Sequence, residues 1–103
     1  KEIKNIQLNK EISPAKSIYW MTTIFIRESK KRISAEYLGK KLKQRLIDSR
    51  PMFPSISTYP MWSSKNNFFS KELSKYSLNL PSGHNLKKKD IKYICKNIIE
   101  IVK

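Results

Sequence analysis

The apolar positions of this 103-residue chain fall into blocks separated by charged or proline-rich runs. The densest block is Ile18 to Ile26, IYWMTTIFI, β-branched and aromatic throughout. That composition, bounded by polar residues, predicts a β-strand. Side chains alternate across a strand, so Ile18, Trp20, Thr22, Ile24 and Ile26 share one face, and Tyr19, Met21, Thr23 and Phe25 the other. Both faces are apolar, which predicts cover on both sides and docking of this domain on something larger. The next block is periodic: Leu38, Leu42 and Leu46 recur at i, i+4 and i+8 beside Ala35, while Lys40, Lys41, Lys43 and Arg45 point away. This spacing predicts a helix from Ser34 to about Leu46, with Ser34 as N-cap and Glu36 favouring the positive end of the dipole.

A short helix over Asn67 to Lys75 would bury Phe69, Leu73 and Tyr76. Leu78 to Pro81 reads as extended and ends in a turn at Ser82-Gly83. The last helix runs from about Lys87 to Val102, with Ile91, Ile94, Cys95, Ile98, Ile99 and Val102 at helical spacing. Cys95 lies on that face, which predicts a buried, inert thiol. Near the start, Ile3, Ile6, Leu8 and Ile12 fit no single period. Ile6 to Leu8 is either the end of a helix or a short strand, followed by a turn at Ser13-Pro14. Arg27 to Arg32 reads as a charged turn. Two or three strands and three helices in β-α-β-α-β-α order make a small α/β layer.

Between the first two helices lies Leu46 to Trp62, LIDSRPMFPSISTYPMW, with three of the five prolines. Each proline fixes its own φ and disfavours the helical region for the residue before it. The connection is therefore stiff, and Met52, Phe53, Ile56, Tyr59, Met61 and Trp62 make it partly apolar. Such a loop can shape the wall of a binding site. Arg50 stands at its start, and its planar fork suits a carboxylate or phosphate. The alternative is that the loop packs on its own domain and Arg50 makes a surface ion pair.

The totals narrow the chemistry. The length allows one small domain. Only two glycines, Gly39 and Gly83, are present, which excludes a glycine-rich phosphate loop. His84 is the one histidine, so neither a metal centre nor a Ser-His-Asp or Cys-His set can be assembled around a second. No apolar run approaches the roughly 20 residues of a membrane span, and no signal peptide is visible. A single cysteine fits a reducing compartment, hence the cytoplasm. The chain begins at Lys1 without an initiator Met, as a fragment or trimmed chain does. Net charge is +14, yet only four basic residues are arginine. Lysine amid Asn, Ile and Ser is also the mark of an AT-rich coding sequence, so compositional drift outranks nucleic-acid binding.

Several stretches are familiar in order and spacing. SIYWMTTIFI, the AEYLGKKLKQ helix, LIDSRPMF…YPMW and LNLPSGHNLKKKDIKYICKNI resemble the C-terminal small domain of the DegT/DnrJ/StrS family, the PLP-dependent sugar aminotransferases. The third looks like that family's Gly-Ile-x-Thr-Arg-Pro-Phe-Phe…Pro-Met-Tyr, and its Arg-Pro version resembles the perosamine-synthase-like branch. The resemblance covers about residues 17–103. It implies an α/β (α+β) fold: a small mixed-sheet domain with about three helices, the small domain of a fold-type I aminotransferase. Residues 1–103 would then be one domain of a larger enzyme whose large PLP-binding domain is absent. The implied reaction is amination of a nucleotide-linked 4-keto-6-deoxy sugar for surface polysaccharide such as O-antigen. Glutamate is the implied amino donor and a homodimer the implied assembly. Arg50, Pro51, Met52 and Phe53 fall on the segment that reaches the cleft in that family.

On that footing the substrate-binding candidates are Arg50, Phe53, Ser57, Tyr59 and Trp62. Ser57 stands where many members have histidine, and Met52 where others have histidine or phenylalanine. Lys87 replaces an N-cap threonine, which leaves Asn85 to cap the last helix, and Lys88 and Lys89 replace glutamates. No catalytic residue and no metal ligand is assigned. The Schiff-base lysine and the aspartate on the pyridinium nitrogen belong to the large domain, so this chain alone is not expected to transaminate. Two rivals remain: an orphan, non-catalytic domain, and a basic nucleic-acid module. The latter needs aromatics displayed among basic residues, whereas Tyr19, Trp20, Phe25, Phe68 and Phe69 read as core.

Overall fold

The structure is a computed structural model that describes residues 3–27, 32–62 and 67–103. The charged turn expected at Arg27 to Arg32 lies mostly outside the described residues. The elements are β1 (Ile6–Leu8), β2 (Thr22–Ile26), α1 (Ala35–Lys43), β3 (Arg50–Pro51), a 3-10 turn at Ile56–Thr58, α2 (Phe68–Tyr76), β4 (Ser77–Leu80) and α3 (Lys88–Val102). The α+β class and the three helices are as the pattern predicts. One sheet has the order β1-β2-β4-β3. Where a mixed sheet is expected, all three pairings are antiparallel.

The core is built on one face of that sheet. Ile24 and Ile26 of β2 and Leu78 of β4 meet Ala35, Leu38 and Leu42 of α1, Ile47, and Ile94, Ile98 and Val102 of α3. The strand is shorter than its apolar run. Tyr19 sits at φ 47°, outside the extended region, and Ser17 Oγ accepts from its N–H at 3.0 Å. This turn keeps Ile18 to Trp20 out of the sheet and leaves all three exposed. The expectation that Tyr19 and Trp20 belong to the core is therefore corrected, and so is that for Phe68 and Phe69, both exposed.

Helix α1 starts as its sequence dictates, with Ser34 Oγ accepting from Tyr37 N–H at 3.1 Å. Lys40 Nζ meets Glu36 Oε1 at 2.8 Å, one turn apart, and holds that carboxyl below the usual glutamate range by hydrogen bonding and charge. The helix stops short of Leu46. Ile47 N–H donates to the Leu42 carbonyl and Leu46 N–H to the Lys43 carbonyl, both at 3.0 Å. Those two bonds, with Leu42 and Ile47 both buried, are a Schellman closure. Its left-handed position falls on Leu46, at φ 58°. The third leucine of the stripe is therefore expelled and stands 97% exposed.

That position favours glycine. A side chain there costs about 1–2 kcal/mol, against about 0.5–1 kcal/mol of extra chain entropy that glycine loses on folding. Leu46→Gly is thus expected to raise stability by about 1 kcal/mol, seen as a higher urea midpoint. An unchanged or lower midpoint would contradict the closure described.

Helix α3 is rotated from its expected face. Asn97 is buried with Ile94, Ile98 and Val102, while Ile91 is half exposed and Cys95 exposed. The buried thiol is corrected accordingly. The cause is a polar clamp from the end of α1: Arg45 Nη1 donates to Asn97 Oδ1 at 2.7 Å and to Glu100 Oε2 at 3.0 Å. Asn97 Nδ2 donates to the Tyr93 carbonyl at 2.8 Å, so the buried amide is satisfied at both ends. At the start of α3, Lys87 rather than Asn85 holds the N-cap position. The Asp90 carboxylate accepts from the Lys87 N–H at 2.9 Å and supplies the negative charge the dipole favours.

Candidate functional site

The proline-rich loop folds back on itself before it reaches α2. Pro51 ends β3 on the sheet edge, and Met52 N–H still donates to the Ser77 carbonyl at 3.3 Å. Ser55 is buried and acts as the loop's pivot. Thr58 N–H donates to its carbonyl at 2.9 Å and Thr58 Oγ1 to the same oxygen at 2.6 Å. Ser55 Oγ and Ser57 Oγ lie 2.8 Å apart. Trp62 N–H donates to the Tyr59 carbonyl at 3.1 Å, a second tight turn. With the backbone so committed, Phe53, Ile56, Met61 and Trp62 are pushed outward and exposed.

Across from the loop stands α2. Asn67 Oδ1 accepts from Ser70 N–H at 3.2 Å and caps the helix. Asn67, Ser70, Leu73 and Ser74 recur at three- and four-residue spacing, so they face the loop together. Phe69 and Leu73 were expected to be buried by this helix, but both are exposed. Only Tyr76 packs on the core, because the helix is tied down at that end by Arg32. Arg32 Nη1 meets Glu72 Oε2 at 2.8 Å, Nε donates to the Ile26 carbonyl at 3.0 Å, and Cζ lies 3.3 Å from the Tyr76 ring centre.

Loop and helix enclose a groove of about 540 Å³. Of the candidate residues, Phe53, Ser57 and Trp62 line it together. Arg50 and Tyr59 do not. Arg50 projects from the edge strand with its side chain 77% exposed, and Nη2 meets Asp48 Oδ2 at 3.1 Å. The surface ion pair weighed for it is present. The lining that the sequence reading missed is Ser55 in the loop and Asn67, Ser70 and Ser74 on α2. The i, i+4 pair Ser70 and Ser74 with Asn67 was a visible polar stripe, but its facing partner is set by tertiary packing.

The lining pairs hydroxyls and one amide with aromatic and aliphatic surface, and includes no Asp, Glu, Lys or Arg among the described residues. It suits a neutral, hydroxyl-bearing ring. A second groove of about 570 Å³ is lined by Lys40, Lys43 and Lys75 with Glu36 and Asp48 among others. Among the described residues no His, Cys, Asp and Glu cluster could hold a metal ion. No described helix is long and apolar enough to cross a membrane.

The family's sequence profile matches residues 1–99. The chain belongs to the DegT/DnrJ/EryC1/StrS aminotransferase family. It is also 34% identical over 97 residues to a GDP-perosamine synthase of Escherichia coli O157:H7, an alignment covering 92% of this chain and 26% of that enzyme. The chain thus spans about a quarter of the relative's length. Aminotransferases of this family depend on pyridoxal phosphate in general. A Schiff-base lysine must be desolvated or set against another cation. Among the described residues no lysine lines the groove beside the loop, and Lys40 in the second groove is 73% exposed and paired with Glu36.

Proposed function

We propose that residues 1–103 are the C-terminal small domain of an aminotransferase acting on a nucleotide-linked 4-keto-6-deoxy sugar. The proposed product is an amino sugar for surface polysaccharide such as O-antigen, made in the cytoplasm. The observation that carries this reading is the groove between the Met52–Trp62 loop and α2, with no charged side chain among its described lining residues, in a chain of this aminotransferase family. Serine hydroxyls and the Asn67 amide can exchange hydrogen bonds with ring hydroxyls. Phe53 and Trp62 supply flat apolar surface for the C–H faces of the ring. Tyr59 and Arg50 lie outside the groove's lining, and Arg50 is the proposed contact for a charged group of the amino donor or nucleotide. Glutamate is the proposed donor.

Pyridoxal phosphate, held in this reading by the rest of the enzyme, supplies the electron sink for moving the amino group. The residues here orient the sugar and keep water from its reacting carbon. The exposed apolar side chains have a role in the same reading. Ile18, Trp20, Met61, Phe68 and Phe69 are all exposed large apolar side chains. They are the proposed docking surface for the large domain, and the active site is proposed to form in a homodimer.

In the complete enzyme, Trp62→Ala is expected to raise KM for the nucleotide sugar about tenfold, the loss of about 1.4 kcal/mol of ring contact. KM for glutamate should stay within about twofold. A shift in the glutamate constant alone would contradict the assignment of this groove to the sugar.

A further inference from the structure

The second groove differs from the first in charge. Lys40 and Lys43 of α1 and Lys75 of α2 line it, together with Glu36 and Asp48. Both carboxylates are already committed, Glu36 Oε1 to Lys40 Nζ at 2.8 Å and Asp48 Oδ2 to Arg50 Nη2 at 3.1 Å. Lys43 and Lys75 meet no carboxylate among the described residues. Lys75 Nζ stands 5.3 Å from the Tyr76 ring centre, a contact that leaves its charge uncompensated. The groove therefore keeps two spare ammonium groups, carried on different helices. Ser49, also in the lining, has a hydroxyl with no hydrogen-bond partner among the described residues.

The residue that opens this groove is Gly39, in the middle of α1. Glycine is, after proline, the least favourable residue inside a helix. The backbone does not ask for it here, since its φ is not positive. Nor does packing. Among the described residues, a Cβ at this position would meet only Leu78 Cδ1 at 3.5 Å and Ser49 Oγ at 3.7 Å, both ordinary contacts. Leu78 and Ser49 line the groove, so that Cβ would stand within it, and a longer side chain would fill it. The glycine weakens the helix and leaves about 570 Å³ open in return. A local rule broken without a packing gain is the mark of a functional position.

We propose that this groove binds a small phosphate-bearing anion, gripped by Lys43 and Lys75 from two helices and admitted by Gly39. Two separate ammonium groups suit a ligand with more than one negative charge, and lysine meets phosphate as a point charge. The phosphate oxygens also accept from the Ser49 hydroxyl. Ser74 lines this groove and the first one alike. Helix α2 is thus a wall of both, and both are filled together.

The test is isothermal titration of inorganic pyrophosphate into the complete enzyme, alone and then saturated with the nucleotide-linked amino sugar. Binding is expected in both cases. Lys43→Gln combined with Lys75→Gln, at exposed positions where folding is not at stake, should weaken it by about tenfold or more. Gly39→Leu, which fills the groove, should abolish it, while Gly39→Ala should keep it and raise the urea midpoint. No binding to the wild-type enzyme would overturn the site. So would wild-type affinity in the double lysine variant or in a folded Gly39→Leu protein. Binding that vanishes once the nucleotide-linked sugar is present would assign the sugar's own phosphates to this groove and overturn a separate site.

Discussion

Replacing Arg32 by alanine is expected to destabilise the domain by about 3 kcal/mol, far more than a surface arginine would. Three interactions go at once. Arg32 is 13% exposed at its side chain and pairs with Glu72 at 2.8 Å, so its removal strands a half-buried carboxylate. Its Nε bond to the Ile26 carbonyl at 3.0 Å is lost from the end of β2. Its guanidinium meets two rings, 3.3 Å from the Tyr76 centre and 5.5 Å from that of Phe25. A desolvated cation–ring contact contributes about 1–2 kcal/mol and a hydrogen bond to a charged group about 1.5–3 kcal/mol. The total falls short of the plain sum because the groups are coupled.

Arg32→Lys keeps the charge and should recover less than half, since the ammonium neither stacks flat nor forks. Urea unfolding of the two variants measures both. A loss under about 1 kcal/mol for Arg32→Ala would make the contact an ordinary surface bridge. The consequence reaches the groove, because Arg32 fastens the helix that carries Asn67, Ser70 and Ser74.

The second large effect is in the core. Leu42 has no exposed surface and sits where α1, the sheet and Ile47 converge. Leu42→Ala removes its methyl groups and leaves a cavity that close-packed neighbours fill only in part, at a cost of about 3–4 kcal/mol. Its carbonyl also accepts the Ile47 N–H that closes the helix. Four residues on, Leu46→Ala should change stability by less than about 0.5 kcal/mol, as at exposed positions generally. Denaturant melts of the two variants check the contrast. Comparable losses from both would mean that the helix runs on through Leu46.

That contrast shows what the chain's pattern can and cannot reveal. Periodicity alone placed Leu38 and Leu42 correctly, because a helix interior is a local matter. It could not show the exit at Leu46, which depends on backbone closure. The comparison with the family's segment held a hint, since a glycine stands there where this chain has Leu46. The strand at Ile24 and Ile26 was legible. The loss of Ile18 to Trp20 from it was not, because one left-handed residue, Tyr19, decides it. On α3 the apolar count outweighed Asn97, whose burial rests on an arginine 52 positions away. The candidate site was legible to the same extent. Phe53, Ser57 and Trp62 share one loop, so reading that loop named three residues that line the groove. The serines of α2 belong to another element, and only tertiary packing brings them to the groove.

The most direct test of the account is hydrogen–deuterium exchange on the complete enzyme, with and without the nucleotide-linked 4-amino-6-deoxy sugar. Ligand in the groove should slow exchange over residues 52–62 and 67–74, where loop and helix close around it. The outer faces of α1 and α3 should stay as they were. Unchanged exchange in both groove segments, with protection elsewhere, would contradict the claim that this domain forms the wall of the sugar site.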